Sequence, residues 1–455
     1  MGRITVQHIW EGMQGLLVAG RGPGSSTFAR AAIDSRDVRP DDLFFAIKGE
    51  RSDGHDYVAQ AIAAGAKGAV IERPVAAPDA AATFHVSESL KSLQQLASWW
   101  RARHDVSVIA VTGSVGKTTC KELIASVLSR RFRTLKSEAN LNTEIGVPLT
   151  LLRLTDEHER AVLEFGMYAR GDIALLARIS GPTIGVVTNV GPVHLARLGS
   201  MGAITAAKAE LVEALPPDGV AILNGDDART AAMSARTSGR VTYYGVSQQC
   251  QLRASDVVSR GLGGIEFRLE AHAGSVNVHL PLPGKHHVYA ALAAAAVALE
   301  EGMSLSEVAD ALAEARPELL SRVLPGPNGS TMLDESYNAS PASMLAALDL
   351  LAQLPGRRVA LLGDMLELGA MEEDGHRRVG ERAASACDVL LVVGPRASTV
   401  ALAARDAGAE DVRQLDSTGD AINALQKDVG PGDHILVKAS RAMAFEEVVA
   451  ALTHT

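Results

Sequence analysis

Cysteine is scarce in this chain. Cys120, Cys250 and Cys387 stand far apart and without metal-ligand spacing, which argues against a disulfide framework and a cysteine-built metal site and fits a reducing compartment. Aromatic residues make up only 4% of the sequence, so the cores must be assembled from Ala, Val, Leu and Ile, as in helices packed on sheets. No Lys/Arg run interrupts a formal charge of -9, so a surface that grips a polyanion is not expected and neither is a nucleic-acid partner. Long apolar runs are missing too. The opening MGRITVQHIWEG has no basic head leading into an apolar core, and the Ala-rich run 290–299 falls well short of the ~18 residues a membrane span needs. No membrane insertion is expected, and the cytoplasm is the expected compartment.

What is present is length and apolar content: 455 residues, 47% of them hydrophobic. At ~100–200 residues per domain this makes two to four domains, with three the middle value. The first hundred residues read as short strands and helices, with strand-like LFFAI at 43–47, helical YVAQAIAAGA at 57–66 and strand-like GAVIE at 68–72. A charged link, RARHD at 101–105, then precedes the buried-strand run VSVIAV at 106–111. Strands and helices alternate from there to about residue 318, with IGVVTNV (184–190) and GVAILN (219–224) typical of parallel strands covered on both faces. Alternation at Ile265, Phe267 and Leu269, and again at Val276, Val278 and Leu280, predicts an antiparallel hairpin added to that unit. TMLD (331–334), RVALLG (358–363), VLLVVG (389–394) and HILVK (434–438) repeat the α/β rhythm in a last unit. Domains at 1–102, 103–318 and 319–455 are expected, with hinges near 103 and 318.

The chemistry begins at TGSVGKTT, residues 112–119, which follows a strand and opens a helix in the order a phosphate-binding loop requires. Gly113 and Gly116 allow backbone N–H groups around Ser114 and Val115 to turn onto phosphate oxygens. Lys117 can neutralise phosphate charge, the Thr118 hydroxyl suits Mg²⁺, and Thr119 continues into the helix, whose dipole favours an anion. The longer Walker spacing would put glycine where Val111 stands, so this is the shorter Gly-x-x-Gly-Lys-Thr form. Glu164, in AVLEFG (161–166), sits at the end of an apolar strand, where either a shared Mg²⁺ or a structural salt bridge would satisfy it. His194, in TNVGPVHLARLGS (188–200), reads by itself as a hydrogen-bonding loop residue. Lys208, in AITAAKAEL (203–211), reads by itself as a lysine whose stem lies on an apolar helix face while its amine reaches water.

Taken together these residues resemble the Mur ligase family, in which a P-loop, a strand Glu, an Asn-rich loop, a His and a Lys occur in this order. SEANLNTEIGVP (137–148) looks like the Asn-rich loop, with Asn140 and Asn142 as candidates to approach the γ-phosphate or acyl group. The resemblance implies a small N-terminal UDP-binding α/β domain, a central P-loop α/β domain with a parallel sheet plus hairpin, and a C-terminal Rossmann-like domain. It also implies ATP and Mg²⁺ as cofactors. Lys208 would be carbamylated, Thr118 and Glu164 would hold one Mg²⁺, and His194 with Lys208 would help hold a second. Lys117 and Asn142 join these in the implied catalytic set, while His286, Arg322 and Glu335 add nucleotide contacts to those of the loop.

LDESYNASPASM (333–344), LLGDMLELG (361–369) and LVKASRA (436–442) are similar to the branch of the family that adds D-alanyl-D-alanine to UDP-N-acetylmuramoyl-tripeptide through an acyl phosphate. Those two substrates are the implied partners, and a monomer is expected. IDSR (33–36) and KGERSDGHDY (48–57) resemble the UDP-sugar-binding region, making Ser35, Arg36, Arg51, Asp53, Gly54 and His55 candidate substrate contacts. The family pattern raises a dipeptide-holding role for Asp364, Glu367 and His376, with loop and cap chemistry as the alternative. His287 and Ala290 stand where the family usually has asparagines, and Glu335 where it has Asp. Two competing readings are a folylpolyglutamate-type ligase, which generally lacks the N-terminal UDP-sugar domain, and a non-catalytic P-loop binding protein, which leaves Lys208 and the third domain without a purpose.

Overall fold

The computed structural model describes residues 3–50, 52–75, 81–193, 195–315 and 322–453. Among them are three sheets of five, nine and six strands and one two-stranded pair. The fold is therefore α/β throughout, as the sequence pattern anticipates. The first sheet spans residues 17–86 and mixes parallel pairs, such as Leu43–Phe45 with Gly68–Ile71, with an antiparallel edge strand Leu17–Arg21.

The helix Ser89–Ala102 follows this sheet, and its apolar face, Leu93, Leu96, Ala97 and Trp100, is buried. It packs against the helices Gly146–Leu151 and Asp172–Ser180 of the next unit. Trp100 Nε1 donates to Leu154 O at 3.1 Å and Arg101 Nε to Ser180 O at 3.0 Å. One continuous hydrophobic cluster runs from Phe28 and Phe84 through Trp100 to Leu163 and Ile173. The break in sequence rhythm near residue 103 is thus bridged by side chains from both sides.

The nine-stranded sheet orders its strands Gly274–Leu280, Ile265–Ala271, Leu252–Ser259, Arg240–Gly245, Val220–Asn224, Ile184–Val187, Ser107–Thr112, Arg160–Glu164 and Thr134–Lys136. The predicted hairpin is there, antiparallel, with Ile265 opposite Leu280 and Leu269 opposite Val276. Ser107–Thr112 lies between Ile184–Val187 on one side and Arg160–Glu164 on the other, all parallel. The chain leaves this strand, goes out to the edge and returns, then continues on the opposite side. That reversal is a topological switch point, where the loops at the strand ends part and leave a crevice. The Lys117–Leu128 helix covers one face of the sheet, packed against the Ala-rich helix His287–Glu300. Small alanines on the latter let the two helices approach closely.

The six-stranded sheet orders Arg322–Pro325, Thr331–Asp334, His434–Lys438, Arg358–Gly363, Val389–Val393 and Val412–Leu415, parallel except for its first edge strand. Helices cover both faces, and a buried cluster lies on each side of the sheet. None of the helices among the described residues is long and apolar enough to cross a membrane.

Candidate active site

The loop at 112–119 lies at the C-terminal end of Ser107–Thr112, at the switch point. Gly116 has φ +80° and precedes the first residue of the Lys117–Leu128 helix, a left-handed position that glycine adopts without strain. Gly113, at φ +152°, has no room for a side chain, because a Cβ there would lie 1.8 Å from Thr188 Oγ1. The loop is clasped by the segment that follows Ile184–Val187. Thr188 Oγ1 and Asn189 Nδ2 each donate to Val115 O at 2.8 Å, Asn189 Oδ1 accepts from Val115 N at 2.9 Å, and Ser114 Oγ exchanges hydrogen bonds with Gly191. Thr188 and Asn189 are positioning residues that the sequence pattern did not single out. The adjoining Thr-Asn-Val-Gly directly after a strand was the available signal.

Thr118 Oγ1 donates to Glu164 Oε2 at 2.9 Å, and Asn142 Nδ2 donates to Glu164 Oε1 at 2.9 Å. Glu164 ends its strand opposite Val111 and is 3% exposed. Three of the sequence candidates, from the P-loop helix, the Asn-rich loop and a strand end, therefore meet at one carboxylate. Both carboxylate oxygens are satisfied by neutral donors, with no ion pair to Glu164 among the described residues. A hydroxyl and a carboxylate side by side, with no lysine or arginine paired to the carboxylate among the described residues, form a donor set that fits a hard divalent ion. Lys117 lays its amine over the loop carbonyls, 3.0 Å from Gly113 O and 3.4 Å from Ser114 O. Desolvation lowers its pKa and the Glu164 charge opposes the shift.

Lys208 lies on the Met201–Glu213 helix and is only 2% exposed, so its amine does not reach water. Desolvation first, and the nearby Lys117 charge second, push its pKa well below the ordinary lysine value. No hydrogen bond or ion pair to its ammonium occurs among the described residues. The reading of Lys208 as a solvent-reaching lysine is therefore wrong. A lowered pKa favours the neutral amine, the form in which a lysine can react as a nucleophile. His194 lies outside the described residues, as does Arg51. No cluster of three or more His, Cys, Asp or Glu that could hold a metal occurs among the described residues.

Beside the loop is a cavity of about 500 Å³, lined by Gly116, Thr119 and Cys120, by Asn189, His286, His287, Tyr289 and Ala290, and across from them by Ser340, Pro341, Leu345 and Leu368 of the last unit. The His286 and His287 rings lie 4.0 Å apart, and burial pushes the His287 imidazole well below its usual pKa. Glu335 and Lys438 pair at 3.1 Å, and Lys438 also donates to Asn338 O at 2.9 Å, pinning the loop between them. That loop carries Tyr337. Burial raises its pKa and the Glu164 charge adds to this, while Arg441 and Thr118 oppose the shift. Arg441 covers the Tyr337 ring at 5.2 Å. Tyr337 was part of a quoted motif but not a predicted site residue. What brings it to the P-loop is contact between two distant units, which local pattern does not reveal.

Arg322 Nε and Nη2 both donate to Asp334 Oδ2, at 3.0 and 2.6 Å. In the first unit Asp53 accepts from His55 N at 2.9 Å and meets His55 Nδ1 at 2.6 Å, while His55 Nε2 accepts from Glu72 N at 2.8 Å. Gly54 allows the close approach of Ile47, whose backbone N a Cβ would meet at 2.7 Å. Ser35 Oγ donates to Gln60 Oε1 at 3.2 Å, and exposed Arg36 pairs with Asp34 at 2.6 Å. These residues form a connected turn region whose polar groups largely serve each other. Asp364 and His376 do loop and cap work: Asp364 accepts from Arg396 N and Ala397 N, and His376 links Met365 N to Glu372 O.

Comparison with known proteins follows the same divisions. Residues 29–98 match the Mur ligase family, catalytic domain, residues 111–298 the Mur ligase middle domain, and residues 316–441 the Mur ligase, glutamate ligase domain. A UDP-N-acetylmuramoyl-tripeptide–D-alanyl-D-alanine ligase of Synechocystis is 41% identical over 423 residues, covering 92% of this chain and 90% of the relative. A MurF crystal structure from Acinetobacter baumannii superposes over the whole of both chains with a TM-score of 0.89 at 32% identity. The MurF ligase of Thermotoga maritima in complex with ADP covers 93% of this chain and 97% of its own, with a TM-score of 0.80 at 28% identity. Identity sustained over nearly the full length, through all three sheets and the P-loop of the central one, shows that this chain belongs to the Mur ligase family.

Proposed function

We propose that this enzyme is an ATP-dependent ligase that joins D-alanyl-D-alanine to UDP-N-acetylmuramoyl-tripeptide in peptidoglycan precursor synthesis. The observation that carries the reading is the meeting of Thr118, Glu164 and Asn142 at the P-loop of a chain 41% identical to a ligase of that name. A carboxylate is a poor acyl donor at neutral pH. Its terminal oxygen attacks the γ-phosphorus of ATP, ADP departs, and an acyl phosphate results. The dipeptide amine then attacks the acyl carbon, losing a proton, and inorganic phosphate leaves as the amide forms.

The chain's own groups divide this work. Backbone N–H groups of the 112–119 loop and the helix start hold phosphate oxygens, and the Lys117 amine neutralises their charge. Thr118 and Glu164 would hold Mg²⁺, with His194 and a carbamylated Lys208 holding a second ion; such ions screen the repulsion between triphosphate and peptide carboxylate. The burial of Lys208 and the downward shift of its pKa support the carbamate reading, since only a free amine adds to carbon dioxide. Asn142 is assigned to orient the acyl group through its bond to Glu164. Ser114, Val115, Thr119, His286 and Glu335 are assigned to the nucleotide, with Arg322 approaching from the last domain. Ser35, Arg36, Arg51, Asp53, Gly54 and His55 are assigned to the UDP-sugar. The three domains are taken as 1–102, 103–318 and 319–455, acting as a monomer in the cytoplasm. A sheet of five strands ahead of the P-loop unit favours this reading over a folylpolyglutamate-type ligase.

The test is incubation of the protein with ATP, Mg²⁺, UDP-N-acetylmuramoyl-tripeptide and D-alanyl-D-alanine, followed by mass spectrometry. A pentapeptide product with stoichiometric ADP and phosphate is expected. ATP hydrolysis without a new peptide would sink the proposal.

A further inference from the structure

Behind the Thr118–Glu164–Asn142 cluster lie charges that the reaction scheme leaves unused. Lys121, one turn along the helix from Thr118, is fully buried, and Glu122 beside it is 2% exposed. Lys121 Nζ meets Glu122 Oε1 at 2.8 Å, and Lys136 Nζ meets Glu122 Oε2 at 2.5 Å. Lys121 also donates to Ser137 O at 2.9 Å. Ser137 is the residue at which the edge strand Thr134–Lys136 passes into the Asn-rich loop, and its hydroxyl accepts the backbone N–H of Glu164 at 3.3 Å. Ser137 N in turn donates to Val162 O of the Glu164 strand at 3.0 Å.

Buried ion pairs contribute little net stability relative to apolar side chains of similar volume, because desolvation offsets the attraction. Packing alone therefore does not account for two lysines and a glutamate at this position. What the group does geometrically is specific: it ties the P-loop helix, the root of the Asn-rich loop and the Glu164 strand together at one residue, Ser137. These are the elements that carry Thr118, Asn142 and Glu164. Among the described residues no other side-chain hydrogen bond or ion pair joins the helix to the edge strand, and apolar contact resists separation but not sliding.

The geometry points to Lys121, Glu122 and Lys136 as a positioning network that fixes the spacing of Thr118, Glu164 and Asn142 for a divalent cation. The inference rests on the reading of Thr118 and Glu164 as holders of that ion. Lys121 acts through the Ser137 carbonyl, Glu122 holds the Lys121 amine by charge without a hydrogen bond at its Oε1, and Lys136 fixes Glu122 from the partly exposed side.

The test uses the full-length enzyme and two readouts, Mn²⁺ binding in the presence of ADP by electron paramagnetic resonance and the Mg²⁺ dependence of ligation. Lys121→Met should weaken Mn²⁺ binding and raise the half-saturating Mg²⁺ concentration about tenfold or more. The KM for UDP-N-acetylmuramoyl-tripeptide should stay within about twofold. Val127→Ala, a buried change on the same helix, serves as the stability control and should lower thermal stability without moving either cation readout. Should Lys121→Met fail to fold, Lys136→Met must show a shift of the same sign, about two- to threefold. Unchanged cation affinity in the folded variant, or an equal shift in Val127→Ala, overturns the network. Glu164→Ala separates the two layers of argument. If it leaves Mn²⁺ binding intact, the reading of the ion site itself fails. If it abolishes binding while Lys121→Met does not weaken it, only the network falls.

Discussion

A lysine amine deprived of water and set near a second cation has two ways to lower its energy: lose its proton or change its chemistry. Lys208 is in that position, with burial the larger cause and Lys117 the smaller. Replacing it with alanine should lower kcat by at least the roughly 10–100-fold that loss of a metal-site partner typically costs. A small added carboxylic acid should restore part of the activity by filling the space with an anion. ¹³C-bicarbonate should give a carbamate resonance in the wild type and none in Lys208→Ala; a variant of full activity would remove the carbamate from the scheme. Sequence pattern alone suggested a solvent-reaching lysine, because a helix face of small residues looks the same whether it lies at the surface or under a neighbouring strand. Asp53 offers a separate test. The His55 backbone N–H, then its imidazole, hold the Asp53 carboxyl down at about 2. A depressed carboxylate stabilises the fold above its unfolded value, near 4, and loses that contribution as pH falls toward about 2. Its side chain is 27% exposed, so screening reduces the effect to roughly 1 kcal/mol. Unfolding free energies of Asp53→Asn and wild type, extrapolated from urea titrations, should differ by that amount from pH 7 to 4 and converge below.

At the level of elements, the parallel strands were legible because each is a short apolar run between turn residues. Glu164 stood out because it breaks such a run at its end. The added hairpin was legible from strict alternation, and its register bears this out. Edge strands such as Thr134–Lys136 and Arg322–Pro325 were not, since three or four half-exposed residues carry neither pattern. The P-loop was legible as a motif, but what holds it in shape was not, because Thr188 and Asn189 reach it from a loop more than seventy residues away. Gly113 is where that support is tightest. In Gly113→Ala the Cβ would meet Thr188 Oγ1 at 1.8 Å, at a φ that L residues rarely adopt. About 1–3 kcal/mol of strain is expected, together with displacement of the loop from its clasp. The KM for ATP should rise at least about tenfold, beyond what the accompanying fall in thermal midpoint would explain. An unchanged KM would show that the loop shape does not depend on this contact.

At the scale of the whole molecule, the nucleotide-sized cavity exists only because the last unit lies against the central one. Ser340, Pro341, Leu345 and Leu368 face Gly116 and His287 across it, and Tyr337 lies close enough to Glu164 for that charge to shift its pKa. The first and central units share a hydrophobic cluster, whereas the buried residues of the last unit's two clusters all lie within it and only Leu262 of the central unit packs on one of them from outside, so the second junction is the one that can open at smaller energetic cost. Gly369 marks a point of close approach. It has φ +54°, and a Cβ there would lie 2.9 Å from Ala196 N, in the helix Leu195–Leu198. Valine at 369 adds bulk against backbone that cannot swing aside, and so should hold the last unit away from the P-loop. Three results are expected together: a larger radius of gyration by small-angle scattering, a kcat reduced by about tenfold or more, and a raised KM for ATP. Affinity for the UDP-linked substrate should change little, because the residues assigned to it lie in the first unit. A variant with unaltered radius and an intact KM for ATP would mean that Tyr337 and the cavity wall hold their places without this contact, and closure would then have to be sought at the Glu335–Lys438 loop instead.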